Sequence, residues 1–268
     1  LPTARAVQGS APQKSSRKRR LLGACLFLTG LIVLGLWQIG YFGGPVFTDV
    51  PAIARTPPGK AKLVAVVFSG DAGYQIGMAS MIGSRLAADG IPVVGVNTLT
   101  YFRTTRTPAA ATRLIGAAID HAIAYAHADH LILIGHSYGA DILHVGLADL
   151  PEHLRDKVRL VALVVPGETV ELRASPGGLL SFAFPDAPAL ATARLLNWVP
   201  VVCIQGIEET TSLCPLLSAP NMVSEAMPGG HSMHWDADGL TARLLAVIAR
   251  SLPIITKISG DEHAPVMP

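Results

Sequence analysis

Between Leu131 and Asp141 the chain reads LILIGHSYGAD. An apolar run ends on a serine fenced by two glycines, in the pattern Gly135-His136-Ser137-Tyr138-Gly139. A G-x-S-x-G segment that follows a strand and opens a helix raises a serine hydroxyl on a tight turn, and the glycines let the two backbones pass closely. Ser137 is therefore the candidate nucleophile. It requires a general base, and the base requires an acid that holds its tautomer. Of the nine histidines, His231 in PGGHSMHWD is the first choice and His234 its rival. His136 is locked inside the turn, and His121, His127 and His130 fall on or beside a helix. For the acid, Gly206-Ile207-Glu208-Glu209 follows an apolar run. Glu209 is the first choice and Glu208 the alternative.

These residues act together only if the elements between them bring them to one edge. From Lys62 the chain alternates short β-branched runs with helix-period segments. Strands are expected at 62–68, 92–97, 130–135, 159–165, 199–205 and, more weakly, 221–227. Helices are expected at 74–90, 107–128, 138–150 and 236–252. Such alternation predicts an α/β fold, a mostly parallel sheet covered by helices on both faces. Ligands of such sheets sit beyond the carboxyl ends of the strands, and Ser137, Glu209 and His231 each follow a strand. The order Ser…Glu…His along the chain is that of an α/β-hydrolase. The oxyanion hole is then expected from the amide of Tyr138 and that of Asp71 or Ala72, in the loop SGDAGY after the first expected strand. Only about 33 residues separate the runs at 159–165 and 199–205, so the cap is expected to be small.

The remainder of the chain bears on location. Residues 1–20 carry six of the 21 Lys and Arg and no acid, leaving fifteen bases against 19 acids beyond them, a net charge of −4. The basic balance belongs to a tail and gives no reason to expect nucleic-acid binding. Residues 21–42, LLGACLFLTGLIVLGLWQIGYF, carry no charge. That length suits a membrane span, with Trp37, Tyr41 and Phe42 as an interfacial belt and the Lys/Arg flank on the cytoplasmic side. We expect an uncleaved signal anchor at 21–42, a Pro/Gly-rich linker at 43–60, a catalytic domain at 61–252 outside the membrane and a C-terminal tail at 253–268. A cleaved signal peptide is the alternative. In an exported domain, Cys203 and Cys214 read as a disulfide bracketing Glu209, two free thiols being the alternative. A zinc site lacks ligands, and neither a metal nor a cofactor is called for.

Together these segments resemble the VirJ/AcvB family of bacterial exported proteins, a branch of the α/β-hydrolases. The similar stretches are FSGDAGY, GVNTLTYFRTTRTP, LILIGHSYGADIL, LPEHLRDKVRLVALV, PVVCIQGIEETTSLCP and MPGGHSMHWD, spanning Phe68 to Asp236. The chain departs from the family at Ala72-Gly73-Tyr74, Arg103 and Ser232. The resemblance implies cleavage of aminoacyl esters of phosphatidylglycerol, such as lysyl-phosphatidylglycerol, and a link to virulence-related secretion. It places the domain in the periplasm, tethered to the inner membrane, with a membrane lipid as substrate. The apolar stretch SPGGLLSFAFP (175–185) could touch lipid or pack on the domain. A reading from another class is a non-catalytic accessory partner of envelope or secretion-system proteins, since a fold does not dictate a function.

Overall fold

In the computed structural model, residues 14–53, 62–176 and 185–258 are described. Helix α1 (Lys14–Gln38) takes in the basic residues from Lys14 to Arg20 and the apolar run as far as Gln38, short of the expected end at 42; its stretch Lys18–Gln38 is long and apolar enough to cross a membrane, and none of it is buried in the protein. Strands β1 (Phe47–Val50) and β2 (Leu63–Phe68) follow, then α2 (Met78–Ala88), β3 (Val93–Val96), α3 (Thr98–Phe102), α4 (Pro108–Ala126), β4 (His130–His136), α5 (Tyr138–Ala148) and α6 (Glu152–Arg155). The chain continues through β5 (Val158–Val164), β6 (Thr169–Val170), β7 (Ala187–Pro188), α7 (Leu190–Ala193), β8 (Val201–Gly206), β9 (Met222–Met227) and α8 (Ala237–Ile258).

Seven strands form one sheet in the order β1-β3-β2-β4-β5-β8-β9, and every pairing is parallel except that of β1 with β3. The central strands are continuous apolar runs because both faces are covered. On β2, Val64, Val66 and Phe68 point to one face and Ala65 and Val67 to the other, the period of two that a pleat imposes. The first face packs on Leu114, Ile115 and Ile119 of α4 and on Ile142 and Leu143 of α5. The second packs on Ile82 and Leu86 of α2 and on Leu240 and Leu244 of α8. Helix α4 starts where Thr107 accepts a hydrogen bond from the Ala110 N–H and Pro108 occupies the first turn. It stops at His127 in the left-handed conformation.

The structure departs from the sequence expectations at several places. Part of the 43–60 stretch read as a linker is the edge strand β1, fastened by a 2.7 Å contact between Asp49 and His121 of α4 and by stacking of Phe47 on the His121 ring. Four residues between Pro- and Gly-rich flanks carry too little period to announce a strand. Helix α2 begins at Met78 rather than Tyr74, since Tyr74 turns into the core instead. Helix α8 continues past 252 to Ile258, across Pro253, which removes one amide donor without ending the helix. Of the apolar stretch 175–185, residues 177–184 lie outside the described residues. Around it, the described residues between β5 and β8 hold the β6–β7 pair and the single turn α7.

The sheet's stability rests on this two-sided burial. Leu133, fully buried in the central strand, is the plainest probe. Leu133→Ala should lower the unfolding free energy by about 2–5 kcal/mol, the usual range for such truncations. Denaturant titration of the two proteins measures it.

Candidate active site

Strand β4 delivers Ser137 to the centre of the sheet's carboxyl edge. The residue takes φ 52° and ψ −125°, outside the regions that non-glycine residues favour. The turn is held by the Ser137 N–H, which donates to Val164 O at 2.8 Å, and by Ala140, whose N–H donates to Ser137 O at 2.7 Å. The two flanking glycines are required by close approach. A methyl group on Gly135 would lie 2.5 Å from the Ala140 Cα, and one on Gly139 would lie 2.4 Å from Ser69 O.

Strands β8 and β9 deliver the partners. Ser137 Oγ lies 2.8 Å from Nε2 of His231, and Nδ1 of His231 lies 2.5 Å from Oε1 of Glu209. The Glu209 side chain is almost fully enclosed, whereas His231 is half open to solvent. Its loop is strapped down by the N–H groups of Ile207, Glu208 and Glu209, which donate to Met227, Gly229 and Gly206. A disulfide joins Cys203 to Cys214, with Cα atoms 5.4 Å apart, and closes the loop from behind. The hydrogen bond that His231 Nδ1–H donates to Glu209 is the main reason the His231 pKa rises above its ordinary value, opposed by burial and aided by the charges of Glu209, Asp141 and Asp71. Burial, with a smaller push from His231, lowers the His136 pKa to about 4, so that ring stays neutral beside the serine.

The alternatives from sequence fall elsewhere. Glu208 is exposed and turned outward. The His234 ring sits over Gly229, where an added methyl would come within 3.0 Å of it. The expected oxyanion residues do gather around the serine. A cleft of about 320 Å³ is lined by Gly70, Asp71, Ala72, Ile76, Ser137, His231 and Trp235 among others. Tyr138 occupies the first position of α5, where backbone N–H groups have no carbonyl partner within the helix. The 70–72 loop is positioned by a buried polar cluster, in which Thr98 donates to Ser69 O at 2.6 Å and the Thr98 N–H donates to Ser69 Oγ at 3.1 Å.

Sequence reasoning missed a second cavity, of about 150 Å³, on the other side of Ser137. Its walls are Asp71, Tyr138, Asp141, Thr169, Glu171 and Ser175. Asp141 lies one helical turn past Ser137, so the i, i+4 spacing on α5 was the available signal; Glu171 offered none. One oxygen of Asp141 accepts the Gly167 N–H at 2.9 Å. Burial, offset in part by that bond and by His231, raises the Asp141 pKa to about 8. The Tyr138 hydroxyl is buried without a hydrogen-bond partner, close enough to Asp141, Glu171 and Asp186 for their charges to add to the rise that burial gives its pKa.

A mostly parallel sheet with helices on both faces, carrying a serine on the β4–α5 turn, defines an α/β-hydrolase fold. Solved structures share it. The Est1E protein of Butyrivibrio proteoclasticus, solved with ferulic acid, aligns with a TM-score of 0.54 at 13% identity, over 77% of this chain and 96% of its own. XC6422 of Xanthomonas campestris, described as an α/β serine hydrolase without lid, aligns with a TM-score of 0.50 at 18% identity, over 78% and 92%. A puromycin-hydrolysing peptidase of Mycobacterium tuberculosis gives 0.54 at 16%, over 80% of this chain and 38% of its own. Comparison with curated protein sequences returns no match. Within the fold class, a family profile described as bacterial virulence protein (VirJ) matches residues 62–252, and the chain belongs to that family.

The geometry makes a prediction that needs no substrate. Because the Glu209 contact is the largest cause of the raised His231 pKa, Glu209→Gln should lower it. The proton then leaves His231 at a lower pH than in the wild type. Titration of the His231 ring by NMR reads the shift, and an unchanged midpoint would mean that the 2.5 Å contact does not form in solution.

Proposed function

We propose that the protein is a membrane-anchored serine esterase of the periplasmic face that cleaves the aminoacyl ester of aminoacylated phosphatidylglycerol. The observation that carries the esterase reading is the relay Ser137–His231–Glu209, with steps of 2.8 and 2.5 Å, at the edge of an open cleft. Ser137 Oγ attacks the ester carbonyl carbon while His231 Nε2 takes its proton. Glu209, accepting from Nδ1–H, keeps Nε2 free of its own proton and stabilises the imidazolium. The amide of Tyr138 and that of Asp71 or Ala72 receive the oxyanion, at the positive end of α5. His231 passes its proton to the leaving glycerol oxygen as the ester bond breaks. Water then attacks the acyl-serine, again through His231, and releases the free amino acid. The phosphatidylglycerol leaves intact.

The acyl group is suggested by the acidic cavity. The carboxylates of Asp141, Glu171 and Asp71 surround a space beside the nucleophile that suits an ammonium group. A cation seated there would hold Asp141 in its charged form, offsetting the burial that raises its pKa. The lipid part is suggested by α1, which has the length of a membrane span, and by the resemblance to the VirJ/AcvB family. The Lys/Arg residues in the first turns of α1 would stay on the cytoplasmic side and so orient it with the domain outside the inner membrane.

Full-length protein in vesicles containing lysyl-phosphatidylglycerol should release lysine and leave phosphatidylglycerol, followed by mass spectrometry. Ser137→Ala should cut the rate by about 10⁴-fold or more. Turnover by the alanine variant at the wild-type rate would remove Ser137 from the mechanism. Labelling by a fluorophosphonate without lysine release would leave a serine hydrolase of another substrate.

The acidic cavity is tested separately. Glu171→Gln should lower kcat/KM for a soluble lysyl ester by about tenfold, equivalent to 1.4 kcal/mol. An acetyl ester of the same alcohol should be affected far less. Equal losses on both esters would mean that the cavity does not read the ammonium group.

A further inference from the structure

Helix α1 does not end in a loose joint. Its hydrogen bonds run on into the following turn, where the Ile39 N–H donates to Gly35 O at 3.1 Å and the Tyr41 N–H to Leu36 O at 2.9 Å. That turn is itself bound to the domain. Asn97 Nδ2 donates to Ile39 O at 3.1 Å, Thr100 Oγ1 donates to Gly40 O at 2.9 Å, and the Asn97 N–H donates to Val46 O at 2.8 Å. Ile39, Tyr41, Val46 and Phe47 pack against the core, and β1 then joins the sheet. Gly40 is buried at φ 83°, and a methyl there would lie 2.4 Å from Thr100 Oγ1. On the other side, a methyl on Gly73 would lie 2.5 Å from Ile39 O. The end of the apolar helix therefore abuts the same loop whose residues 70–73 wall the catalytic cleft.

The rim of that cleft is apolar and open. Ile76 is 54% exposed and Trp235 60% exposed, with the Trp235 ring 4.0 Å from where a Gly77 side chain would begin. Trp235 sits on a strained turn, in which Met233, His234 and Trp235 take φ of 46°, 53° and 58° in succession. Left-handed values cost each non-glycine residue about 1–2 kcal/mol. Three residues of chain from Gly73 to Ile76 span at most about 11 Å. That is comparable to the about 5–10 Å by which apolar faces enter the headgroup zone.

We propose that residues 39–50 form a rigid collar, and that it seats the cleft's rim, Ile76 and Trp235, in the bilayer interface beside the end of α1. The partner is the lipid surface itself. A docked span of this kind presents the cleft to lipids of the outer leaflet of that membrane at a set height, where a flexible stalk would let the domain stand off in water. A tryptophan and an isoleucine next to a membrane span suit the interfacial layer, in which amphipathic rings collect. The inference rests on α1 being a membrane span. It does not depend on the identity of the ester.

The test uses the full chain with Trp37→Phe and Trp198→Phe, which leaves Trp235 as its single tryptophan. It is reconstituted in vesicles of phosphatidylethanolamine and phosphatidylglycerol that carry a nitroxide either near the headgroup or deep in the acyl chain. Trp235 emission should be quenched by the shallow label and much less by the deep one. Gly40→Val undocks the collar and should abolish the shallow quenching while the protein still floats with the vesicles. Thr100→Val, which removes only the bond to Gly40 O, should weaken it. A protein that floats with Trp235 unquenched by either label would overturn the proposal and leave a tethered domain. Quenching that persists unchanged in a folded Gly40→Val protein would also overturn it, because the collar would then be irrelevant to lipid contact. A chain that does not float would remove the span reading and this inference with it, while the relay at Ser137 would stand untouched.

Discussion

The site depends on one strained residue. Ser137 can hold φ 52° only because the elements on both sides leave it no alternative. Strand β4 is paired on both edges, by β2 and β5, and α5 is pressed onto α4 and the sheet. The Ser137 N–H is spent on Val164 O, and the next residue, Val165, is itself left-handed at φ 47° while its own N–H reaches Ile204 O at 2.7 Å. A β-branched residue in that region is a true outlier. Strain of this kind persists where the surrounding fold over-determines it, and it concentrates at functional sites. Here it sits along the carboxyl ends of β4 and β5 and at 233–235 in the segment after His231, while left-handed His127 merely ends α4.

Given that anchor point, the remaining groups are ordered by what each must avoid. The enclosed Glu209 has one oxygen on His231 and the other buried without a partner. Such a carboxylate is costly unless held, and the strap to Met227 and Gly229 together with the disulfide holds it. The same enclosure keeps its charge effective on the ring. On the far side of the serine stand the carboxyl groups of Asp141 and Glu171, and neutral His136 and the apolar rim stand on the near side, with Asp71 bordering both spaces. Burial raises the pKa of the Asp141 carboxyl to about 8 and so favours its protonated form, while the Gly167 N–H bond works the other way.

The junction with α1 ties location to chemistry. Asn97 caps α3 through the Thr100 N–H, receives Val46 O on its own N–H and holds Ile39 O with its amide. Its neighbour Thr98 fixes Ser69 and thereby the loop that walls the cleft. The short segment 97–100 thus connects the collar, the cleft wall and the sheet's edge.

The sequence by itself determined the six parallel strands, the elbow and the chain order of the candidate residues Ser137, Glu209 and His231. The apolar runs at 62–68 and 130–135, the glycines around Ser137 and the glycine before Glu209 are local signals, because backbone geometry demands those residue types at those spacings. Only the tertiary structure decided between Glu209 and Glu208 and between His231 and His234. Near neighbours of one type look alike in sequence, and what separates them is that Glu209 meets His231 and His231 meets Ser137, while Glu208 is exposed and the His234 ring lies over Gly229. The edge strand β1, the collar on Asn97 and the acidic cavity completed by Glu171 were likewise decided there. Each joins residues far apart in the chain through contacts that leave no period behind: Asp49 with His121, Ile39 with Asn97, Asp141 with Gly167. Periodicity reports which face a residue presents, and only folding decides what that face meets.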